Sequence, residues 1–118
     1  MAELERIEPI RITDNDSGNV YVLDFNRDSV RFAEARGFKL EDVPDYPGTK
    51  FEEFFFYAFR ANHKNLSREK ANKLYEKMGG MTERVLARLL DLYQQAQVSN
   101  NIQDEDALKE NPHVTVEL

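Results

Sequence analysis

The apolar positions of this chain alternate near the N-terminus and recur every three to four residues further along. Residues 7–12 and 20–25 are rich in β-branched and aromatic side chains, which predicts two short strands. Residues 14–19 between them are turn formers, so we expect a β-hairpin with a loop longer than two residues. Pro9 has no backbone N–H, which places the first strand at a sheet edge or at a bulge. In the second strand, the side chains expected to face the core are Tyr21, Leu23 and Phe25.

After the second strand, the apolar residues recur with the spacing of a helix. Asn26 or Asp28 can cap a short helix that ends near Arg36, with Gly37 expected in the left-handed conformation. The connection over residues 38–48 contains two prolines and a glycine, so it cannot be one helix.

Three further helices are predicted, and their expected N-terminal caps are Thr49, Ser67 and Thr82. Thr49 is followed by Glu52 at the position that completes a capping box. This aromatic helix is expected to stop within residues 62–65, and Gly79 with Gly80 should end the next one. The last helix carries an apolar stripe that covers about 160° of arc. The residues of that stripe are Val85, Leu86, Leu89, Leu90, Leu92, Tyr93 and Ala96.

These elements predict an α+β fold, with a small N-terminal β-hairpin followed by a mainly helical body of about four helices. A chain of 118 residues is long enough for one domain, which we place at residues 1–98. Residues 99–118 contain five acidic residues and a single lysine, so we expect an acidic, flexible C-terminal tail. Residues 114–118 alternate as a strand does, which favours either addition to a sheet edge or simple fraying.

Residues 51–59 contain five of the eight Phe and one of the five Tyr of the chain. On a helix, one face would hold Phe51, Phe54, Phe55, Ala58 and Phe59, as a core-facing helix requires. Phe56 and Tyr57 fall outside that face, and a small domain has little interior for them. One interpretation is a core helix with two partly exposed aromatic residues. The other is a partner-binding surface, whose candidate residues are Phe56, Tyr57, Arg60 and His63.

The net charge of −6 argues against nucleic acid as a partner, because binding to phosphates depends on Lys and Arg. A basic cluster does occur within residues 60–77, and it could be a solvated helix surface or a docking patch for an acidic segment. No apolar run approaches the length of a membrane span, and no signal-peptide pattern is present. The absence of Cys favours a reducing, cytoplasmic location.

No residue pattern in the chain indicates catalysis. Two isolated histidines without Cys do not form a metal-site spacing, and His63 is placed where an imidazolium suits a helix C-terminus. The serines occupy turn or cap positions, and Gly79 with Gly80 lacks the spacing of a phosphate loop. We therefore predict a non-enzymatic protein that needs no cofactor and no metal.

Four segments, residues 25–38, 55–63, 66–80 and 85–93, resemble corresponding segments of one protein family in the same order. The first segment contains a strand followed by a short helix that ends in Gly-Phe, and the other three segments are helical. The chain is thus similar, over roughly residues 7–95, to the tail assembly chaperones of siphophages and prophages of Gram-positive bacteria.

The resemblance implies a small, mostly helical protein of the bacterial host cytoplasm that is encoded between the major tail protein and the tape measure protein. Such proteins keep the tape measure protein soluble, recruit tail tube subunits and leave before the tail is finished. Many members are also made in a longer form by ribosomal frameshifting near the C-terminus, and here the acidic tail from Ser99 would be where such an extension departs. Apart from the resemblance, the aromatic helix leads us to expect that the chain self-associates. The family has no catalytic residues. Alternatives are a structural virion protein such as a head–tail connector component, or a small regulatory protein that binds nucleic acid through residues 60–77.

Overall fold

Two short antiparallel strands form the predicted hairpin in the computed structural model, which describes residues 6–101 and residue 113. Strand β1 spans Ile10–Thr13 and β2 spans Val20–Leu23, with Ile12 opposite Tyr21. The loop is closed by a 2.8 Å hydrogen bond from the Asp14 N–H to the Asn19 carbonyl. Tyr21, Leu23 and Phe25 are buried as expected, because alternate side chains of a strand point to the same face.

The outer edge of β2 is covered by the segment that follows the aromatic helix. The Val22 N–H donates to Nε2 of His63 at 3.0 Å, and the Val22 carbonyl accepts from Nδ2 of Asn62 at 3.3 Å. The Asp24 N–H donates to the Ala58 carbonyl at 3.0 Å. Side chains and backbone of residues 58–63 thus satisfy groups that a third strand would otherwise pair.

Replacing His63 with alanine is expected to lower the free energy of unfolding by about 1–3 kcal/mol, because the half-buried Val22 N–H loses its acceptor. Urea unfolding followed by circular dichroism measures this loss. Asn62→Ala is the matched control: its side chain is exposed and water can replace its bond to Val22, so about 0.5 kcal/mol is expected. An effect of His63→Ala no larger than that of the control would contradict this role.

Helix α1 spans Arg27–Ala35 and is capped by Asn26, one of the two caps predicted. The Asn26 side chain accepts from the Ser29 N–H, and the Ser29 hydroxyl accepts from the Asn26 N–H, both at 2.8 Å. Gly37 follows the helix at φ +85°, a conformation that glycine adopts without steric cost. A single 3₁₀ turn at Leu40–Asp42 then leads to the next helix.

Helix α2, the aromatic helix, spans Pro47–Tyr57, so the predicted start at Thr49 and the predicted end within residues 62–65 are both wrong. Proline suits the first turn of a helix because its fixed φ is helical and its missing N–H would have no partner there. The Thr49 hydroxyl lies 3.5 Å from the Tyr46 carbonyl instead of capping the helix. After Tyr57 the chain continues as irregular turns that include a 2.7 Å bond from the His63 N–H to the Phe59 carbonyl.

The last two helices begin where their caps predict. Helix α3 spans Arg68–Met78, with the Ser67 hydroxyl accepting from the Lys70 N–H at 3.1 Å, and ends at Gly79 with φ +75°. Helix α4 spans Glu83–Asn101, and the Val85 N–H donates to the Thr82 hydroxyl at 3.2 Å. Its backbone continues three residues past the predicted domain boundary at residue 98. The rest of the predicted tail, including the alternating residues 114–118, lies outside the described residues except for the exposed His113.

The core is built around the rings of α2. Phe54 is fully buried, and its ring stacks on Phe25 at 5.3 Å and on Phe38 at 5.4 Å. Tyr93 of α4 meets Phe54 edge-on at 5.8 Å. Helix α2 packs against both α1 and α3, and α1 packs against α4. The α+β architecture predicted from the sequence, a hairpin followed by four helices, is confirmed.

Candidate protein-binding groove

An open groove of about 870 Å³ lies between α4, the start of α2 and the connection from α1 to α2. Its floor is formed by the buried side chains of Phe38, Val43 and Tyr93. Four half-buried apolar side chains form its walls, and they are Leu40, Phe51, Leu86 and Leu90. We call this feature the apolar groove.

The wide apolar stripe of α4 explains why the groove exists. Leu89, Leu92 and Ala96 are buried in the core, whereas Leu86 and Leu90 lie on the flank of the same stripe and keep exposed surface. Residues four apart on a helix are neighbours on one face, so these two leucines form a continuous ridge along the groove. The connection from α1 to α2 contains a single 3₁₀ turn and then Pro44, which disfavours a longer helix there, and it leaves the ridge uncovered.

Polar side chains at the rim of the groove give it a mixed, mainly acidic border. Glu34 and Glu41 are exposed at the rim with Lys39, and Gln94 with Gln97 completes the side formed by α4. Neither glutamate lies within salt-bridge distance of a cation among the described residues. The groove can therefore hold an apolar surface in its middle and pair with basic side chains at its edge.

Tyr93, in the floor of the groove, makes the free energy of unfolding depend on pH. Burial raises the pKa of Tyr93 to about 12, and the Glu34 carboxylate acts in the same direction. A tyrosine in the unfolded chain ionises near pH ~10, so the folded state holds this proton more tightly. Its contribution is therefore complete below pH ~10 and is lost as the pH rises towards about 12.

Urea unfolding above pH ~10 should show a falling free energy of unfolding, and the fall should be shallower for Tyr93→Phe. The slope that remains in the variant belongs to groups whose pKa values are also raised in the folded state. Burial raises the pKa of Tyr57 and of Tyr75, and hydrogen bonds to carboxylates raise the pKa of Lys50 and of Lys77. Identical slopes for the two proteins would contradict the buried position of the Tyr93 hydroxyl.

Tyr57, one of the four candidate partner-binding residues, belongs to the core. Its side chain is only 3% exposed, and its ring meets Phe38 at 5.3 Å and Phe32 at 6.0 Å. Its hydroxyl reaches Oε1 of Glu53 at 3.4 Å. The expectation that Tyr57 lies outside the core is wrong, because α1 packs against the side of α2 that carries it.

His63 also has a structural position. Its ring lies edge-on to Tyr21 at 5.4 Å and to Phe59 at 6.0 Å, and its Nε2 accepts the hydrogen bond from Val22. An imidazolium has no acceptor nitrogen, and α2 ends six residues earlier. The interpretation of His63 as a charge at a helix C-terminus is therefore wrong.

Phe56 and Arg60 lie on the outer side of α1 and α2. Phe56 is half-buried, with Cζ of Arg68 5.4 Å from its ring centroid. Arg60 places its Cζ 4.2 Å from the centroid of the Phe32 ring and bonds Asp28 at 3.3 Å. We call this surface the arginine–aromatic face; its members are Phe32, Arg36, Phe56, Arg60 and Arg68. A partner-binding role for Phe56 and Arg60 stays a prediction.

The sequence pattern does not show that Leu86 and Leu90 lie at the surface. Both belong to the predicted apolar stripe of α4, and the breadth of that stripe is the only sign in the sequence that part of it lies outside the core. Leu40 and Phe51 reach the same groove from other parts of the chain. Their proximity depends on how α4 packs on α1, which a pattern along one helix does not contain.

Within residues 6–101 and residue 113, no group of three or more His, Cys, Asp or Glu side chains is placed to hold a metal ion. None of the helices in this part of the chain combines the length and the apolar character that crossing a membrane requires.

Comparison with curated proteins gives no match, and comparison with solved structures gives none either. One family model, described as a domain of unknown function (DUF5055), matches residues 1–118. Because this match covers the full sequence, the chain belongs to the DUF5055 family.

Proposed function

We propose that this protein is a non-enzymatic tail assembly chaperone of a phage or prophage, which acts in the bacterial cytoplasm on the tape measure protein and tail tube subunits. The resemblance of residues 7–95 to such chaperones supports the identity of the partners. The observation that carries the proposal is the apolar groove, with its four half-buried apolar walls. A tape measure protein is long and helical, and its apolar helix faces need temporary cover before assembly.

The groove has the properties that recognition of an amphipathic helix requires. Leu86 and Leu90 present a ridge with helical spacing, against which side chains at the same spacing on a partner can pack. Glu34 and Glu41 at the rim suit basic residues beside the apolar stripe of that helix. A patch of this limited size gives reversible binding, which fits a protein that must leave the finished tail.

Co-expression with a fragment of the tape measure protein tests the proposal. We expect the full chain to raise the soluble yield of the fragment and to co-purify with it. The double substitution Leu86→Asp and Leu90→Asp places two charges in the groove and should abolish both effects. Val98→Asp is the matched control, because Val98 is 51% exposed on the same helix and does not line the groove.

Thermal melting of each variant determines whether the substituted protein is folded at the temperature of co-expression. No gain in solubility with the wild-type chain would contradict the proposal, and so would full activity of the folded double variant. Mature particles should contain none of this protein when they are examined by mass spectrometry. Its presence in the particles would instead favour the alternative that it is a structural virion protein. Self-association of the free chain remains part of the proposal and is measured by sedimentation.

A further inference from the structure

The arginine–aromatic face carries three guanidinium groups that rest on two aromatic rings. Cζ of Arg36 and Cζ of Arg60 lie 4.3 and 4.2 Å from the centroid of Phe32. Cζ of Arg68 lies 5.4 Å from the centroid of Phe56. Both rings are half-buried against the core, so each presents a fixed surface against which the guanidinium groups stack.

Arg36, the residue after α1, and Arg68 of α3 both act electrostatically on the hydroxyl of Tyr57. Burial raises the pKa of Tyr57 and Glu53 raises it further, whereas Arg68 and Arg36 both act in the opposite direction. Two arginines from distant parts of the chain thus lie within electrostatic range of a single group. Sequence spacing alone would not place them together.

Positive charge exceeds negative charge on this face. Asp28 bonds Arg60 at 3.3 Å, and Glu53 bonds Lys50 at 3.0 Å. Arg36 and Arg68 have no carboxylate within salt-bridge distance in the part of the chain that the structure describes. Lys64 adds a further cation at the crevice between Phe32 and Phe56. This local excess occurs on a chain whose net charge is −6.

A guanidinium that lies on a ring keeps its in-plane N–H groups available to an acceptor. Those donors match a carboxylate in bidentate geometry, and little side-chain freedom is lost when the bond forms. We propose that the arginine–aromatic face docks an acidic segment of a partner protein, separately from the apolar groove. Nucleic acid is the weaker fit, since its affinity comes from many phosphates and the negative remainder of the chain repels a long polyanion.

The test is fluorescence anisotropy of a fluorescein-labelled peptide of alternating glutamate and alanine, titrated with the full chain at low salt. We expect saturable binding that weakens by about tenfold or more in the double variant Arg36→Gln and Arg68→Gln. Lys70→Gln with Lys73→Gln is the matched control: it removes the same charge from the exposed surface of α3 and should change affinity by less than about threefold. Arg36→Lys with Arg68→Lys keeps the charge and should recover only part of the affinity.

Three results would overturn the proposal. One is the absence of saturable peptide binding, and another is an equal loss in the lysine control, which would indicate general attraction by charge. The third is tighter, arginine-dependent binding of a single-stranded DNA oligonucleotide, which would assign the face to nucleic acid. The double variant Leu86→Asp and Leu90→Asp should bind the peptide as the wild type does, so failure of this inference and failure of the groove proposal are separable.

Discussion

Replacing Phe54 with alanine is expected to lower the free energy of unfolding by about 3–5 kcal/mol. The ring is fully buried and contacts Phe25, Phe38 and Tyr93, which come from the segment after β2, the segment after α1, and α4. Removing it opens a cavity where these parts of the core meet. Domains of this kind have a free energy of unfolding of roughly 5–15 kcal/mol in total, so the variant should lose a large part of its stability and unfold at a clearly lower urea concentration.

The matched control for this prediction is Tyr46→Ala. Tyr46 directly precedes α2 and is 61% exposed, so its removal should change the free energy by no more than about 0.5 kcal/mol. Urea unfolding followed by circular dichroism measures both variants. Similar losses for Phe54→Ala and Tyr46→Ala would contradict the packing described for α2.

Tyr57→Ser should lower the free energy of unfolding by about 3 kcal/mol or more. Phe56→Ser, one residue earlier, should lower it by about 1 kcal/mol. The difference follows from burial, since Tyr57 is enclosed between α1 and the core while Phe56 keeps exposed surface. Chemical denaturation of the two single variants separates them. Equal losses would mean that both rings have the same environment, which would overturn the division between core and surface on this helix.

Much of the fold follows from short-range rules that the sequence displays. The structure confirms the hairpin, the cap at Ser67 and the helix end at Gly79, and it selects Asn26 from the two caps predicted for α1. Each depends on residues close together in the chain, so no knowledge of the tertiary fold is needed. The alternation that buries Tyr21 is of the same kind.

The errors arise where two local rules compete or where tertiary packing decides. At the start of α2, a good capping box at Thr49 competes with a proline two residues earlier, and the proline lies within the helix. The expectation for Tyr57 is wrong because it assumes that α2 has a single buried side. In the structure α2 has α1 on one side and α3 on another, so aromatic residues around most of its circumference are covered.

The apolar groove could not be predicted from any one segment. Phe38 and Leu40 follow α1, Phe51 belongs to α2, and Leu86 with Leu90 belongs to α4. The stripe of α4 identified both leucines as apolar and correctly placed Leu89 and Leu92 in the core. Which flank of that stripe remains uncovered depends on the angle at which α4 crosses its neighbours, and sequence periodicity does not fix this angle.

Photo-crosslinking from the rim of the apolar groove tests most directly whether this groove receives the tape measure protein. Glu41 and Gln94 line the groove from opposite sides and are exposed, so each can be replaced by benzoylphenylalanine with little disturbance to the fold; exposed Lys73 on α3 is the control site. The account predicts that the fragment becomes covalently attached at positions 41 and 94 and not at position 73. Attachment at position 73 with none at the two groove positions would contradict it.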